Sequence, residues 1–381
     1  MILMISVSVI VSIVLIFISS IGCIFDYSAL FLWPGRIGWF GLLISVFVIC
    51  GKTAEAVLRE IIPVILDRLS LSNATSKSTT RIVLDKGQKM ILQYFINIVI
   101  IVILVFITVS GLSEGLSPPQ IIEVEIKIKG LHPDIEDFSI VQISDLHIDP
   151  SIPGNWLEQI VDRINVLSPD IIALTGDITD GDYSQIHKAV PQLTKLRAKY
   201  GVFFVTGNHE YMTPLSTRYV NSFVTDPHEN MSDIDSWISR MKNLGFIVLQ
   251  NEHRLIKQGH GVILLGGVAD FSAPSRSNHE SSPTKAMGSN PKADFKILLA
   301  HQPSSIYEAA QAGFDLQLSG HTHGGLLSPV RWLASLAQPF QSGLYMYENT
   351  KIYVSNGTGY WGIPFRLGTP SEISLLKLTN S

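Results

Sequence analysis

The stretch that decides the fold is Ile140-Val141-Gln142-Ile143-Ser144-Asp145-Leu146-His147. The apolar run from Phe138 to Ser144 predicts a buried strand, and an aspartate and a histidine follow at its carboxyl end. Side chains at positions i and i+2 of an extended segment point to the same side, so Asp145 and His147 can bind one cation together. The stretch therefore predicts half of a metal site.

Four more apolar runs end in residue types that bind metals. They are Ile171–Thr175 before Gly176-Asp177, Val202–Thr206 before Gly207-Asn208-His209-Glu210, Lys296–Ala300 before His301, and Phe314–Ser319 before Gly320-His321-Thr322-His323. Such nearly continuous runs are typical of strands that are covered on both faces. Because α/β proteins build sites at the carboxyl ends of strands, we expect the five polar ends to gather at one edge of a sheet.

Helical patterns separate the first of these runs. Apolar residues at helical spacing predict helices over about 156–167, 183–200 and 233–244. A strand, helix, strand order predicts parallel neighbours, whereas Phe246–Leu249 and Val262–Gly266 are predicted strands without a helix between them. This order predicts an α/β fold in which a two-sheet β-sandwich is flanked by helices.

The motifs and their order resemble those of the calcineurin-like metallophosphoesterase superfamily, and most closely its bacterial membrane-anchored branch. They are Ser-Asp-Leu-His at 144–147, Leu-Thr-Gly-Asp at 174–177, Thr-Gly-Asn-His-Glu-Tyr at 206–211, Ala-His-Gln-Pro at 300–303 and Leu-Ser-Gly-His-Thr-His-Gly-Gly at 318–325. The resemblance covers about residues 120–378 and includes the glycine-rich stretch 356–362. One Gly-Asn-His alone would be weak evidence, but five motifs in order at strand ends are specific.

The resemblance implies a dinuclear metal site. By motif position, one ion would be bound by Asp145, His147 and His323, the other by Asn208, His301 and His321, and Asp177 would bridge both. Imidazole, carboxylate and amide ligands together suit Mn, Fe or Zn better than Ca or Mg. Two divalent cations at such a site can activate water to a hydroxide that attacks phosphorus.

Three further residues are candidates for the site. The resemblance implies that His209 donates a hydrogen bond or proton to the leaving oxygen, and that Asp180 orients His209. Arg366 follows the glycine-rich stretch 356–362, and we predict that it binds the substrate phosphate. A solvated arginine without a role in the site is the alternative for Arg366.

The N-terminal part of the chain is too apolar for an ordinary soluble enzyme. Only 16% of the 381 residues are charged, and the uncharged runs 1–25 and 90–113 are each long enough to cross a bilayer. A shorter uncharged run lies at 37–51, and residues 1–25 lack the basic start of a cleavable signal peptide. We therefore predict a transmembrane helical anchor region of about three spans over 1–113, a linker over 114–120 and the phosphoesterase domain over 121–381.

Charge predicts the orientation of the anchor and the class of partner. The segment 53–71 carries five charged residues and suits an interfacial helix better than a fourth span. Seven basic residues within 51–89 place that region in the cytoplasm, so the third span would carry the catalytic domain to the outer face of the cytoplasmic membrane. A net charge of −4 argues against nucleic-acid binding. The expected partners are the lipid bilayer and a phosphate-ester substrate, and no protein partner is evident.

The sequence predicts a membrane-anchored, metal-dependent phosphoesterase for phosphodiester, phosphomonoester or pyrophosphate bonds. The two cysteines, Cys23 and Cys50, lie in the predicted anchor, so thiol chemistry is excluded. Anchoring favours a lipid substrate, and some members of the branch are similar to hydrolases of UDP-diacylglucosamine, although that substrate requires a cytoplasmic site. A protein phosphatase is a further alternative, without an evident peptide groove. A non-catalytic metal-binding scaffold would be expected to have lost a ligand or the donor histidine, and none is lost.

Overall fold

The computed structural model describes residues 86–148, 155–179, 190–211, 231–271, 273, 280–289, 292–325, 340–360, 362 and 364–381. The chain divides into two compact units, residues 1–110 and residues 111–381. The predicted spans 1–25 and 37–51 and the predicted interfacial helix 53–71 lie outside the described residues.

The third predicted span, 90–113, lies within a helix of 31 residues, α1 (Lys86–Leu116). Several of its large apolar side chains are exposed, among them Phe95 and Phe106. Within the described residues, no helix combines the length and the hydropathy that crossing a bilayer requires. The helix ends at Leu116 and the next element begins at Gln120, within the stretch predicted as a linker.

The second unit is built from strands with short helices between them. In chain order the strands are β1 (Gln120–Ile128), β2 (Ser139–Ile143), β3 (Ile171–Thr175), β4 (Val202–Val205), β5 (Ile247–Val248), β6 (Glu252–Gln258), β7 (Gly261–Gly267), β8 (Phe295–Leu299), β9 (Leu316–Ser319), β10 (Gly343–Tyr347), β11 (Thr350–Val354) and β12 (Glu372–Asn380). The helices are α2 (Trp156–Val166), α3 (Met231–Asn243), α4 (Pro283–Met287) and α5 (Ile306–Ala312). The predicted strand ends agree with these bounds within one or two residues.

These strands form two six-stranded mixed sheets, as the predicted sandwich requires. The first sheet has the order β1-β12-β2-β3-β4-β5, and the second has the order β10-β11-β9-β8-β7-β6. Strands β2 to β5 are parallel, and so are β7, β8, β9 and β11. Parallel strands place their carboxyl ends at the same edge, so each sheet has one edge that can carry a site.

The main core lies between the two sheets. It joins Ile140, Ile171 and Phe203 of the first sheet to residues such as Ile297 and Leu316 of the second. The outer face of the first sheet is covered by α2 and α3, and the outer face of the second by α4 and α5. Burial on both faces explains why the strands have nearly continuous apolar runs instead of alternating patterns.

The second predicted helix, 183–200, differs from the structure. Residues 183–189 lie outside the described part, and the following residues form a 3₁₀ helix, Val190–Lys195, that does not continue. The backbone N–H of Arg197 donates to the side chain of Asn165 on α2 at 2.8 Å, and the Asn165 amide donates to the carbonyl of Lys195 at 2.9 Å. These bonds to a neighbouring helix replace the hydrogen bonds that would extend the turn.

Candidate metal centre

The predicted ligands come together from both sheets. Loops after β2, β3 and β4 carry the aspartates, Asn208 and His147, whereas loops after β8 and β9 carry His301, His321 and His323. The expectation of a site at one edge of a single sheet was therefore wrong in this respect. The sequence predicted two sheets, but which strand belongs to which sheet is fixed by long-range pairing.

One cluster contains Asp145, His147 and His323, and all three side chains are buried. The Nε2 atoms of His147 and His323 are 3.0 Å apart, and Asp145 Oδ1 lies 3.6 Å from His323 Nε2 and 4.0 Å from His147 Nε2. Both oxygens of Asp145 also accept the backbone N–H of His321 at 3.1 Å, which ties the first sheet to the second.

A second cluster contains Asp177, His301 and His321. His301 Nε2 is 3.1 Å from Asp177 Oδ2 and 3.1 Å from Asn208 Oδ1, and its Nδ1 lies 2.7 Å from the carbonyl of Thr175. If that carbonyl accepts a hydrogen bond from Nδ1–H, Nε2 is left to face the cluster, which is the usual arrangement behind a metal-binding histidine. The structure thus brings together all seven residues that were predicted as ligands.

The donor atoms fit divalent cations. Two ligand atoms that are each about 2.1 Å from one ion, at right angles, are separated by ~3.0 Å. The separations of 3.0 Å between His147 and His323 and 3.1 Å between His301 and Asp177 match this value. Nitrogen, carboxylate and amide donors in a buried pocket suit a borderline transition metal.

The two carboxylate oxygens of Asp177 have different partners: one binds the backbone and the other faces the site. Its Oδ1 accepts the backbone N–H of His209 at 2.8 Å. Its Oδ2 faces three imidazoles, at 3.1 Å from His301, 3.9 Å from His147 and 4.0 Å from His209. One oxygen is thus positioned between the two clusters, as a shared ligand requires.

The backbone at these positions is unusual. Five of the predicted ligands have positive φ angles between 45° and 72°, namely Asp145, His147, Asp177, His321 and His323. Left-handed conformations are uncommon for residues other than glycine, and they concentrate at functional sites. The strand ends are bent sharply here, so consecutive ligands point inward instead of continuing the sheet.

Electrostatics separates charged from neutral ligands. Burial opposes ionisation of Asp177, but the neighbouring His301 outweighs it and holds the pKa of Asp177 well below its ordinary value. The pKa of Asp145 is lowered in the same way, against burial, by His323 and His301. Burial lowers the pKa of His323 to about 3, whereas at His301 burial is outweighed by Asp177, which holds the pKa well above its ordinary value.

His209 lies at the partly exposed side of the site. Its Nε2 is 4.0 Å from Asp177 Oδ2, its side chain retains 17% exposure, and its ring packs edge-on against His147 with centroids 4.8 Å apart. This position at the mouth agrees with contact to a substrate. Asp180, the predicted partner of His209, lies outside the described residues.

Arg366 is not the solvated arginine that was the alternative expectation. Its side chain is fully buried. Its Nη2 lies 3.3 Å from Nδ1 of His323, on the side of the ring opposite to the clustered Nε2. The structure therefore places the guanidinium behind a predicted ligand, and its role as a phosphate-binding residue stays a prediction.

Three polar residues, the half-buried Glu210 and two buried ones, support the site and were given no role in the sequence analysis. Glu210 accepts the backbone N–H groups of Gly207, Asp177 and Ile178 at 2.6, 3.0 and 2.7 Å. Burial and the Asp177 charge raise the pKa of Glu210 to about 7. A Cβ atom at position 207 would overlap Asp177, so the glycine at 207 allows the two loops that carry Asp177 and Asn208 to come this close.

The other two are Asp270 and Gln142. Asp270 follows β7 at the same edge and accepts hydrogen bonds from Gln302, the residue after His301, at 2.9 and 3.2 Å. Gln142 lies inside β2 and donates to the Ser319 carbonyl of the second sheet at 2.8 Å. In the sequence, Asp270 could have been found as a carboxylate at another strand end, and Gln142 as a polar residue within an apolar run.

Comparison with known proteins agrees with this geometry. The family model described as calcineurin-like phosphoesterase matches residues 138–325. The chain is 32% identical over 290 residues to a transmembrane protein with metallophosphoesterase domain from Danio rerio, covering 74% of this chain and 62% of the relative. The protein of the same name from Bos taurus is 35% identical over 306 residues, covering 77% and 64%.

A bacterial relative matches over more of its length. An uncharacterized metallophosphoesterase from Campylobacter jejuni is 30% identical over 295 residues, covering 77% of this chain and 72% of the relative. The chain spans less than two thirds of the two vertebrate relatives. Relatives from bacteria and animals therefore each match about three quarters of this chain.

Proposed function

Because this chain belongs to the calcineurin-like metallophosphoesterase family, we propose that it is a phosphoric ester hydrolase that depends on two divalent cations. The observation that carries the proposal is the position of Asp177 Oδ2. This oxygen faces His301 at 3.1 Å and His147 at 3.9 Å, and these histidines belong to different clusters. One shared carboxylate between two sets of ligands is the arrangement that a dinuclear hydrolase uses.

The roles of the residues follow from where they lie. Asp145, His147 and His323 would hold one cation, and Asn208, His301 and His321 the other, with Asp177 between them. When bound, the two cations supply Lewis acidity for the phosphoryl oxygens and lower the pKa of a water molecule. His209 at the mouth donates a hydrogen bond or proton to the leaving oxygen as the phosphorus–oxygen bond breaks.

An activity assay tests the proposal. The full chain would be purified in detergent, loaded with Mn²⁺, and offered bis-p-nitrophenyl phosphate and p-nitrophenyl phosphate. We expect hydrolysis of at least one ester, loss of the activity with EDTA, and recovery when Mn²⁺ is returned. Manganese is one candidate, so parallel loading with Fe²⁺ and Zn²⁺ identifies the metal that supports the highest rate. Folded protein that binds none of these metals and hydrolyses neither ester would contradict the proposal.

The substrate class follows from a second proposal, that the enzyme is anchored in a membrane. Two relatives carry the word transmembrane in their names, and α1 exposes large apolar side chains such as Phe95 and Phe106. Exposed apolar surface of this kind is typical of contact with a membrane or a partner. An anchored active site favours a phosphate ester that itself resides in the bilayer, such as a phospholipid or a cell-envelope phosphodiester.

The orientation of the catalytic domain separates the lipid substrates. The basic residues of 51–89 favour a domain on the outer face of the membrane, whereas hydrolysis of UDP-diacylglucosamine requires a cytoplasmic domain. Protease treatment of sealed spheroplasts tests this point. Cleavage after residue 121 supports the outer face, and full protection, together with release of UMP from UDP-diacylglucosamine by the purified enzyme, would establish the lipid pyrophosphatase instead.

A further inference from the structure

Arg366 makes more contacts than a substrate-binding arginine needs. Its Nη1 donates to the carbonyls of Asn356 and Thr369 at 2.8 and 3.1 Å. Its Nη2 donates to the carbonyls of Gly357 and Gly359 and lies 3.3 Å from His323 Nδ1. A guanidinium that is fully buried and directed to four backbone carbonyls does not reach a phosphate without breaking these bonds.

The carbonyls that Arg366 binds belong to a loop that also holds Asp145. The backbone N–H of Gly359 donates to the Asp145 carbonyl at 3.0 Å, and that of Thr358 donates to the Ser144 carbonyl at 2.7 Å. Glu372, which is buried, accepts from the Asn356 amide at 2.9 Å. Arg366 thereby links the backbone at Asp145 and the ring of His323, two members of the same metal cluster.

The backbone of Arg366 is itself held by the last turns of α1, Gly111–Leu116. The N–H of Arg366 donates to the Gly111 carbonyl at 3.0 Å, and the N–H of Gly368 donates to the Glu114 carboxylate at 2.8 Å. A Cβ atom at position 115 would overlap the carbonyl of Pro364. These turns and the arginine loop are therefore in direct backbone contact.

We propose that Arg366 is a positioning residue that, held by Gly111–Leu116, fixes the cluster of Asp145, His147 and His323 in the metal centre. The inference rests on the proposed function, because it concerns how the same centre binds its cations. It differs from the role first predicted for Arg366, since the arginine acts through His323 and the loop instead of touching substrate. The final turns of α1 thereby become part of the support of the centre.

The experiment compares Arg366→Met with Arg254→Met in the full chain. Arg254 lies on β6, is exposed, and pairs with Glu252, so its substitution controls for loss of an arginine. Manganese bound per chain would be measured by equilibrium dialysis, and the spin-coupled Mn pair by electron paramagnetic resonance. In Arg366→Met we expect one of two Mn²⁺ ions to bind about 10- to 100-fold more weakly and the coupled signal to give way to that of isolated ions. Arg254→Met should match the unsubstituted chain.

Gly115→Ala tests the contribution of α1 while keeping Arg366. Alanine favours a helix over glycine by about 1 kcal/mol, so helix stability alone predicts no loss of metal. Overlap with Pro364 should instead shift the arginine loop and weaken the same Mn²⁺ ion, by a smaller factor than in Arg366→Met. Ser113→Ala, on the exposed side of the same turns, serves as the control and should leave binding unchanged.

The outcomes separate this inference from the proposed function. An unsubstituted chain that binds no pair of Mn²⁺, Fe²⁺ or Zn²⁺ ions overturns both. A Mn²⁺ pair that persists with unchanged affinity in folded Arg366→Met overturns only the inference. If Arg366→Met does not fold, Gly115→Ala decides: weakened binding of one ion supports the inference, and an unchanged pair contradicts it.

Discussion

The first sheet contributes both aspartates, an asparagine and one histidine to the proposed metal centre, whereas the second contributes three histidines and no carboxylate ligand. In the first half the pKa values of Asp145 and Asp177 are lowered, so both remain ionised although buried. In the second half burial lowers the pKa values of His321 and His323, whereas Asp177 raises the pKa of His301 against burial. The first half therefore supplies the negative charge that attracts cations, and the second completes their coordination.

The two halves also differ in how they are held. Glu210 binds three backbone N–H groups in the loops of the first half. The second half is held by side chains, with Arg366 behind His323 and the Asp270 and Gln302 pair beside His301. We expect substitution of Asp177 or Glu210 in the first half to affect both cations, and substitutions in the second half to affect one.

The largest effect is expected for Asp177→Asn. Loss of the shared charge removes a ligand from both clusters, so both Mn²⁺ ions should be lost and kcat should fall on the order of 10³-fold or more. Metal analysis and hydrolysis of p-nitrophenyl phosphate measure the two effects. Asp162→Asn, an exposed change on α2, is the control. Full metal content in Asp177→Asn would contradict the claim that Asp177 is a ligand of both cations.

His209 belongs to the first half but is proposed to act on the substrate, so its substitution should lower the rate without loss of metal. His209→Gln is expected to lower kcat by about 10²- to 10⁴-fold, the range for loss of a general acid, while both Mn²⁺ ions are retained. Activity and metal content would be measured on the same preparation. Loss of a metal ion in this variant would show that His209 is a ligand, which its place beside His147 and Asp177 also permits.

A smaller effect is expected for Glu210→Gln. The amide replaces one acceptor oxygen by a donor, which faces N–H groups that also donate. Manganese affinity should fall about 10- to 100-fold for both ions, because both loops lose support. The rate at saturating Mn²⁺ should recover, since no ligand is removed. Glu252→Gln on β6 is the control, and weakening of only one ion would contradict the shared role of Glu210.

The smallest effect concerns stability and pH. The folded His323 has a pKa of about 3, whereas in the unfolded chain a histidine takes up a proton near pH 6.5. At His323 the unfolded state thus binds more protons between these values, and its contribution to stability falls as pH falls. In the metal-free protein His323 contributes a loss of roughly 2 kcal/mol from pH 6.5 to pH 4.5, since one proton contributes at most about 1.4 kcal/mol per pH unit. Glu210, whose pKa is raised to about 7, takes up its proton in the folded state first and contributes a gain of similar size over the same range, so the comparison between variants isolates His323.

Urea unfolding at both pH values measures the His323 contribution as a difference between variants. From pH 6.5 to pH 4.5 the stability of His323→Gln should change by roughly 2 kcal/mol more in the favourable direction than that of the unsubstituted chain, whereas His260→Gln, an exposed control, should follow the unsubstituted chain. The lowered pKa of Asp177 adds to the loss of stability only below its ordinary value near 3.9, outside this window. An unchanged slope in His323→Gln would show that this imidazole does not titrate as described.

The sequence predicted the strand ends because burial on both faces leaves a continuous apolar run such as Ile171–Thr175. It predicted the ligand set because each ligand directly follows a strand. It did not predict that Asp145 and His323 approach from different sheets, because sheet membership depends on pairing between distant strands. The burial of Arg366 was also missed, because four of its partners are backbone carbonyls, which have no sequence pattern.

The most direct test of the central claim is anomalous diffraction at the manganese edge from crystals of the full chain with Mn²⁺. Two peaks about 3.5 to 4 Å apart are expected, with Asp177 between them, one beside Asp145 and His323 and the other beside Asn208 and His301. A single peak, or peaks that Asp177 does not join, would contradict the shared-carboxylate centre.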